Sequence, residues 1–198
     1  MGFAVASVHE GPPVTVTDEE RRLARTMPQP RRGDFLIGRS ALHRAVRAAG
    51  LTAGAVLRDG PRPRLPEGLA ASISHSRGVA VALAGAADRF PALGVDLELT
   101  DLPVRAAHLV LREPEHALLG PARTAPKRLL ALYSAKEAAF KALSPLLGPE
   151  LRGLRDLRLT PDGDGFLARA LVCPGPRVRV TVRHLAGGGV LCWALPED

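Results

Sequence analysis

At 198 residues, with 46% apolar and 24% charged positions, the chain has the balance of a soluble globular protein with room for one large core or two small ones. No apolar run approaches the roughly 20 residues that span a bilayer, and Met1–Glu10 lacks the basic start and long apolar stretch of a signal peptide, so neither is expected. The net charge of +7 favours anionic partners without choosing among nucleic acid, nucleotide cofactors and acidic proteins.

Thr17–Glu20 reads as a helix start, with Thr17 as cap and acidic residues in the first turn. Apolar positions recur at helical spacing from Phe35 to Ala49, and Gly50 is the expected stop. Asp59–Gly68 (DGPRPRLPEG), with three prolines and two glycines, reads as an ordered loop. Strands are predicted at Ala70–Ile73 and Val79–Ala84, with Ser74–Gly78 turning between them, and again at Gly94–Leu99. Pro103–Leu119 reads as mostly helical with a break near Pro114, and Arg128–Leu143 as a helix ended by Ser144-Pro145. The tail alternates in strand fashion over Leu154–Thr160, Phe166–Val172, Val178–His184 and Val190–Leu195, with Asp162–Gly165 (DGDG) as a hairpin turn. Cys173 and Cys192 show no metal-ligand spacing, and two reduced structural thiols in a cytoplasmic protein is the simplest reading.

Three short stretches carry chemistry. In GVDLE (Gly94–Glu98) the period of two sends the carboxylates of Asp96 and Glu98 to one side of a strand. In YSAKEAAFK (Tyr133–Lys141), Glu137 and Lys141 share a helix face. In SISHS (Ser72–Ser76), serine hydroxyls and backbone N–H groups beside His75 would make a phosphate nest. Three carboxylates and an ammonium form a plausible cage for a divalent cation that holds a phosphate. Taken singly, each stretch has a plainer reading: an exposed edge strand, a solvated ion pair on a helix, a solvated turn histidine. Arg31, Arg32 and Arg39 likewise read singly as a solvated helix end. The basic residues sharpen the picture, because 24 are Arg and only Lys127, Lys136 and Lys141 are Lys. Two of those three fall in YSAKEAAFK, as if a compact ammonium were needed there.

A weak internal echo lays Phe35–Val46 over Leu132–Leu143, with Arg39 over Lys136 and Arg44 over Lys141. A true duplication would give two α+β halves with the acidic strand near their junction.

The order and spacing of the three stretches resemble the 4′-phosphopantetheinyl transferases, in particular the larger, monomeric type serving siderophore, polyketide and nonribosomal peptide pathways. That family carries an SHS-like turn, a G-[IV]-D-x-E strand and a [FWY]-[ST]-x-K-E-[AS]-x-x-K helix, and the resemblance extends from about Arg31 to Pro145. It implies an α/β (α+β) fold of two pseudo-symmetric halves, 1–93 and 94–198, each a helix packed on a small, mostly antiparallel sheet, with coenzyme A and Mg²⁺ between them. It also implies transfer of the 4′-phosphopantetheine arm of coenzyme A to a serine of an acyl or peptidyl carrier protein, with release of adenosine 3′,5′-bisphosphate. Nucleic acid and membrane would then not be partners.

By position in the family pattern, Asp96, Glu98 and Glu137 would hold Mg²⁺. Asp96, Glu137 and Lys141 would be catalytic, with Lys141 on the pyrophosphate and Lys136 also facing the phosphates. Ser74 and His75 would hold the 3′-phosphate of coenzyme A with Arg31, Arg39 and Arg58, and Arg62 is a lesser candidate. The general base is Glu137, Glu115 or a metal-bound water. Tyr133 stands where Trp or Phe is more usual, and the segment before Arg31 is short for the larger type. A metal-dependent nuclease is the alternative enzyme, although seven aromatic residues leave little to stack bases on. A non-catalytic basic binding module is a further alternative.

Overall fold

The computed structural model describes residues 1–11, 15–60, 62–172 and 175–197, so Cys173 lies outside the described residues. The chain divides into two compact units, Met1–Pro91 and Ala92–Asp198, two residues short of the 93/94 boundary expected from sequence.

The first unit opens with strand β1 (Gly2–Ser7), helix α1 (Asp18–Arg25) and helix α2 (Gln29–Ala48). Two short strands, β2 (Arg58–Asp59) and β3 (Arg62–Pro63), pair inside the predicted loop, and β4 (Leu69–Ser76) and β5 (Val79–Ala86) follow. The antiparallel sheet runs β1-β5-β4. Its helix-facing side carries Ala80, Ala82 and Ala84, and α2 lays Ile37, Ala41, Leu42 and Ala45 against these small residues. A Cβ on Gly2 would collide with the Ala45 carbonyl, so glycine is what lets β1 cross α2 this closely. SISHS belongs to β4 and is not a turn. Ser76 pairs with Val79, and the reversal is confined to Arg77 and Gly78, both with positive φ (50° and 73°), as in a two-residue hairpin turn. Ladder pairing with β5 overrides the turn preference of the serines.

The second unit contains β6 (Gly94–Glu98), α3 (Ala107–Val110), a 3₁₀ segment over Glu113–Leu119, α4 (Ala125–Leu147), and then β7 (Leu157–Asp162), β8 (Gly165–Ala170), β9 (Arg177–His184) and β10 (Val190–Pro196). Its antiparallel sheet runs β6-β10-β9-β8-β7. The predicted DGDG turn closes β7 on β8, with Asp162 opposite Gly165. Helix α4 buries Leu129, Leu132 and Leu143 against Leu157, Val178 and Val190. Each such fully buried side chain contributes about 1.5–3 kcal/mol. Helix α4 does not end at Ser144-Pro145 as expected: it continues to Leu147. Pro145 is exposed in the last turn, where its missing N–H forfeits one hydrogen bond and no packing.

The two units repeat one plan, in which a glycine-led strand, a short helical turn and a long helix precede a hairpin on the same sheet. In each, a buried glutamate at the third position of the short helical turn ties the plan together. Glu20 accepts from the Thr17 N–H (2.9 Å), the Val56 N–H (2.8 Å) and His43 Nε2 (3.0 Å). Glu115 accepts from the Arg112 N–H (3.0 Å), the Leu159 N–H (3.0 Å) and Lys136 Nζ (2.7 Å). His43 is thus the counterpart of Lys136. Gly94, whose Cβ would collide with the Ala138 carbonyl, is the counterpart of Gly2. Both anchors set the long helices one turn away from the register of the sequence echo, so Arg39 is not the counterpart of Lys136, nor Arg44 of Lys141.

Candidate active site

In the second unit, the close approach of Gly94 to α4 brings the acidic residues of β6 against the polar side of that helix. Asp96 is 2% exposed and Glu98 half-buried. Lys141 on α4 donates to Asp96 Oδ1 at 2.6 Å and to the Val95 carbonyl at 3.2 Å. Glu137 lies one turn back along α4. Tyr133 stands a further turn back, with its hydroxyl near the Glu137 carboxylate. The first unit has Ala4 and Ala6 at the places of Asp96 and Glu98, so the carboxylates belong to one repeat only.

The acidic groups disturb one another. Burial and then the Asp96 carboxylate push the Glu98 carboxyl up to about 7, with Lys141 opposing and Glu137 adding. Burial likewise raises Glu137; Asp96 adds to this, while Lys141 and the Tyr133 hydrogen bond oppose it. Among the described residues, no three carboxylate, imidazole or thiol groups already converge as a metal cage. The Lys141 ammonium occupies the Asp96 oxygen instead. The donor set is nonetheless of the hard-oxygen kind that Mg²⁺ takes, and a divalent cation would relieve the mutual repulsion that raises Glu98.

Two expected members leave this group. Lys136 is fully buried and donates to Glu115 Oε2, to the Leu154 carbonyl (3.2 Å) and to the Leu157 carbonyl (3.0 Å). Three acceptors satisfy its three N–H bonds, which leaves none for a phosphate. Burial lowers its pKa and Glu115 opposes the shift. Glu115 is not available as a general base either, being 4% exposed with both oxygens engaged by Lys136, Arg112 and Leu159. Tyr133 carries more than an aromatic anchor would, because its hydroxyl opposes the upward shift of the Glu137 carboxyl.

The first unit holds a cavity of about 380 Å³ lined by Arg31, Arg39, Arg58 and His75, with Asp34 and Phe35. His75 Nδ1 is 3.8 Å from Asp34 Oδ2, a carboxylate that the sequence reading did not single out. Arg39 is mid-helix and 5% exposed, not part of a solvated helix end. It lies 4.6 Å above the Phe35 ring and donates to the carbonyls of Val56 (2.5 Å) and Leu57 (2.9 Å). Burial lowers its pKa to about 10, with Glu20 opposing and Arg58 contributing. Arg32 turns away and caps α1 through the carbonyls of Ala24, Arg25 and Met27. Ser74 does not join His75: neighbours on a strand point to opposite faces, and Ser74 is buried on the side away from the cavity. Arg62, on β3, is exposed and does not line the cavity.

A larger cavity in the second unit, about 760 Å³, is lined mainly by apolar side chains including Leu118, Leu130, Phe166 and Val182 and contains none of the expected site residues. Cys192 is buried, which pushes its thiol up to about 12 and marks it as structural. No helix among the described residues is long and apolar enough to cross a membrane.

Comparison with known proteins shows the family. Residues 18–85 match the 4′-phosphopantetheinyl transferase N-terminal domain, and residues 92–194 match the 4′-phosphopantetheinyl transferase superfamily. The chain is 37% identical over 171 residues to the 4′-phosphopantetheinyl transferase Svp of Streptomyces mobaraensis, covering 81% of this chain and 67% of that protein. It is 30% identical over 182 residues to the 4′-phosphopantetheinyl transferase PptT of Mycobacterium tuberculosis, covering 86% and 79%. A solved structure, the holo-[acyl-carrier-protein] synthase of Thermotoga maritima, superposes with a TM-score of 0.43 at 19% identity, covering 55% of this chain and 64% of that one. The chain belongs to the 4′-phosphopantetheinyl transferase family and is an enzyme of that class. The nuclease and binding-module alternatives are thereby set aside.

Proposed function

We propose that this enzyme moves the 4′-phosphopantetheine arm of coenzyme A onto a serine hydroxyl of an apo carrier protein and releases adenosine 3′,5′-bisphosphate. The observation that supports this reading best is the meeting of Asp96 and Glu98 on β6 with Glu137 and Lys141 on α4. In this reading Asp96, Glu98 and Glu137 hold Mg²⁺, which when bound neutralises charge on the pyrophosphate. Arg31, Arg39, Arg58 and His75 hold the 3′-phosphate. Glu137, whose carboxyl burial raises, takes the proton of the serine hydroxyl as its oxygen attacks the β-phosphorus. The bond from that phosphorus to the bridging oxygen breaks, and the oxygen leaves with the adenosine bisphosphate. Lys141 stabilises the charge that collects there, so catalysis is mainly positioning and electrostatics. The carriers served are acidic around the target serine, and the net charge of +7 would steer their approach.

Product analysis tests this directly. Incubation with coenzyme A, Mg²⁺ and an apo carrier protein should yield adenosine 3′,5′-bisphosphate in equal amount to modified carrier. Bisphosphate without carrier modification, or no bisphosphate at all, would refute the reading.

A further inference from the structure

Two residues behind the basic cavity of the first unit bear on its affinity without touching it. Glu20 is fully buried. Glu20 Oε1 accepts the N–H of Val56 at 2.8 Å, while Arg39 Nε donates to the carbonyl of that same residue at 2.5 Å. The two side chains therefore grip Val56 by both of its backbone groups, and Glu20 Oε1 is itself 3.9 Å from Arg39 Nε. The chain leaving this grip runs through Leu57, whose carbonyl takes a second Arg39 donor, to Arg58, which lines the cavity. His43 Nε2 contacts both Glu20 oxygens at 3.0 Å and fixes the carboxylate from the α2 side. A carboxylate held at four points thus orients one cavity arginine and places the backbone that carries a second.

We infer that Glu20, braced by His43, is a positioning residue for the anion cavity: it sets Arg39 and the Val56–Arg58 segment so that their guanidinium groups meet a phosphate monoester dianion together. This rests on the reading that the cavity takes the 3′-phosphate of coenzyme A. Two guanidinium groups bind such a group well only when both are aimed in advance, because each loses orientational freedom and hydration on contact. The equivalent glutamate of the second unit, Glu115, braces Lys136 and Leu159, and the cavity it lines with Arg112, Asp156 and Arg158 contains none of the residues assigned to the 3′-phosphate, so it supplies a matched control.

The test is calorimetric binding of coenzyme A and of 3′-dephospho-coenzyme A, well below the melting transition, with steady-state kcat and KM for both. Wild type should favour coenzyme A. Glu20→Gln should reduce that preference about tenfold, or about 1.4 kcal/mol, in KM and not in kcat, because the cavity guanidinium groups lose their aim. Glu115→Gln should lose stability and keep the preference. His43→Gln, a milder change, should reduce the preference in the same direction and covers the case in which Glu20→Gln does not fold. An unchanged preference in every folded variant of Glu20 and His43 would overturn the inference while leaving the cavity assignment standing, as would failure of both to fold. If wild type itself does not favour coenzyme A, the cavity assignment fails first and the inference with it.

Discussion

Lys141 Nζ lies 2.6 Å from Asp96 Oδ1 and also donates to the Val95 carbonyl, so the ammonium on α4 is turned toward the acidic strand β6. A point-like cation with three rotatable donors can hold that contact and shift to a phosphate oxygen when one arrives. A planar fork cannot make the same move. Lys141→Arg is therefore expected to lower kcat at least tenfold, about 1.4 kcal/mol of transition-state stabilisation, with little change in melting temperature. Lys127→Arg, outside the motif, is the control. Equal rates for the two variants would remove Lys141 from the site.

Lys136, five residues earlier in the same motif, should behave in the opposite way. It is fully buried among Glu115, Leu154 and Leu157. Lys136→Met leaves the Glu115 carboxylate buried without its cation, which costs about 3–5 kcal/mol. A thermal or urea melt should show that loss, while kcat per folded molecule stays within about twofold of wild type. A large fall in kcat with normal stability would return Lys136 to the phosphates.

The Glu20 network predicts a dependence of stability on pH. Burial pushes the Glu20 carboxyl up, but hydrogen bonds from His43, Thr17 and Val56 outweigh it and hold the pKa below the ordinary 4.5. A depressed carboxylate contributes its full stabilisation above that ordinary value and loses it as the pH falls through the folded-state value. Wild type should therefore be more stable than Glu20→Gln at neutral pH, and their melting temperatures should converge on acidification below about 4.5. Parallel curves down to pH ~2 would show that the ionised carboxylate is not what stabilises the unit.

The sequence shows the second unit's long helix, its tail strands and β6 plainly, because each has a clean period and turn residues at its ends. It hides β1, whose GFAVAS becomes a strand through pairing with β5, distant in the chain. It misplaces SISHS for the same reason: serine's turn preference is a local signal, and the ladder with β5 is not local. Glu137 and Lys141 were legible as one helix face. Lys136 reads from the motif as a phosphate ligand, although its position in the apolar stripe of Leu129, Leu132, Ala139 and Leu143 places it toward the core. Glu20 is visible in the sequence only as part of a capping box. Its contacts with His43, Val56 and Arg39 join segments far apart in the chain.

The Tyr133 hydroxyl gives a further test, because it opposes the rise that burial imposes on the Glu137 carboxyl. Tyr133→Phe keeps the packing and removes the hydroxyl beside the Glu137 carboxylate. The expected result is a fall in kcat of about tenfold or more at unchanged melting temperature. A rate equal to wild type would show that Glu137 is held well enough without it.

Intact-mass spectrometry of an apo carrier protein reads out whether the carboxylates on β6 and α4 support cation-assisted phosphopantetheine transfer. With coenzyme A and Mg²⁺, wild type should add one phosphopantetheine mass to the carrier. Chelation of the cation should stop the reaction and its return restore it, and Asp96→Ala or Glu98→Ala should be inactive while still folded. A carrier left unmodified by wild type, or modified equally well under chelation or by the folded Asp96→Ala variant, would show that these carboxylates and a cation do not carry the transfer.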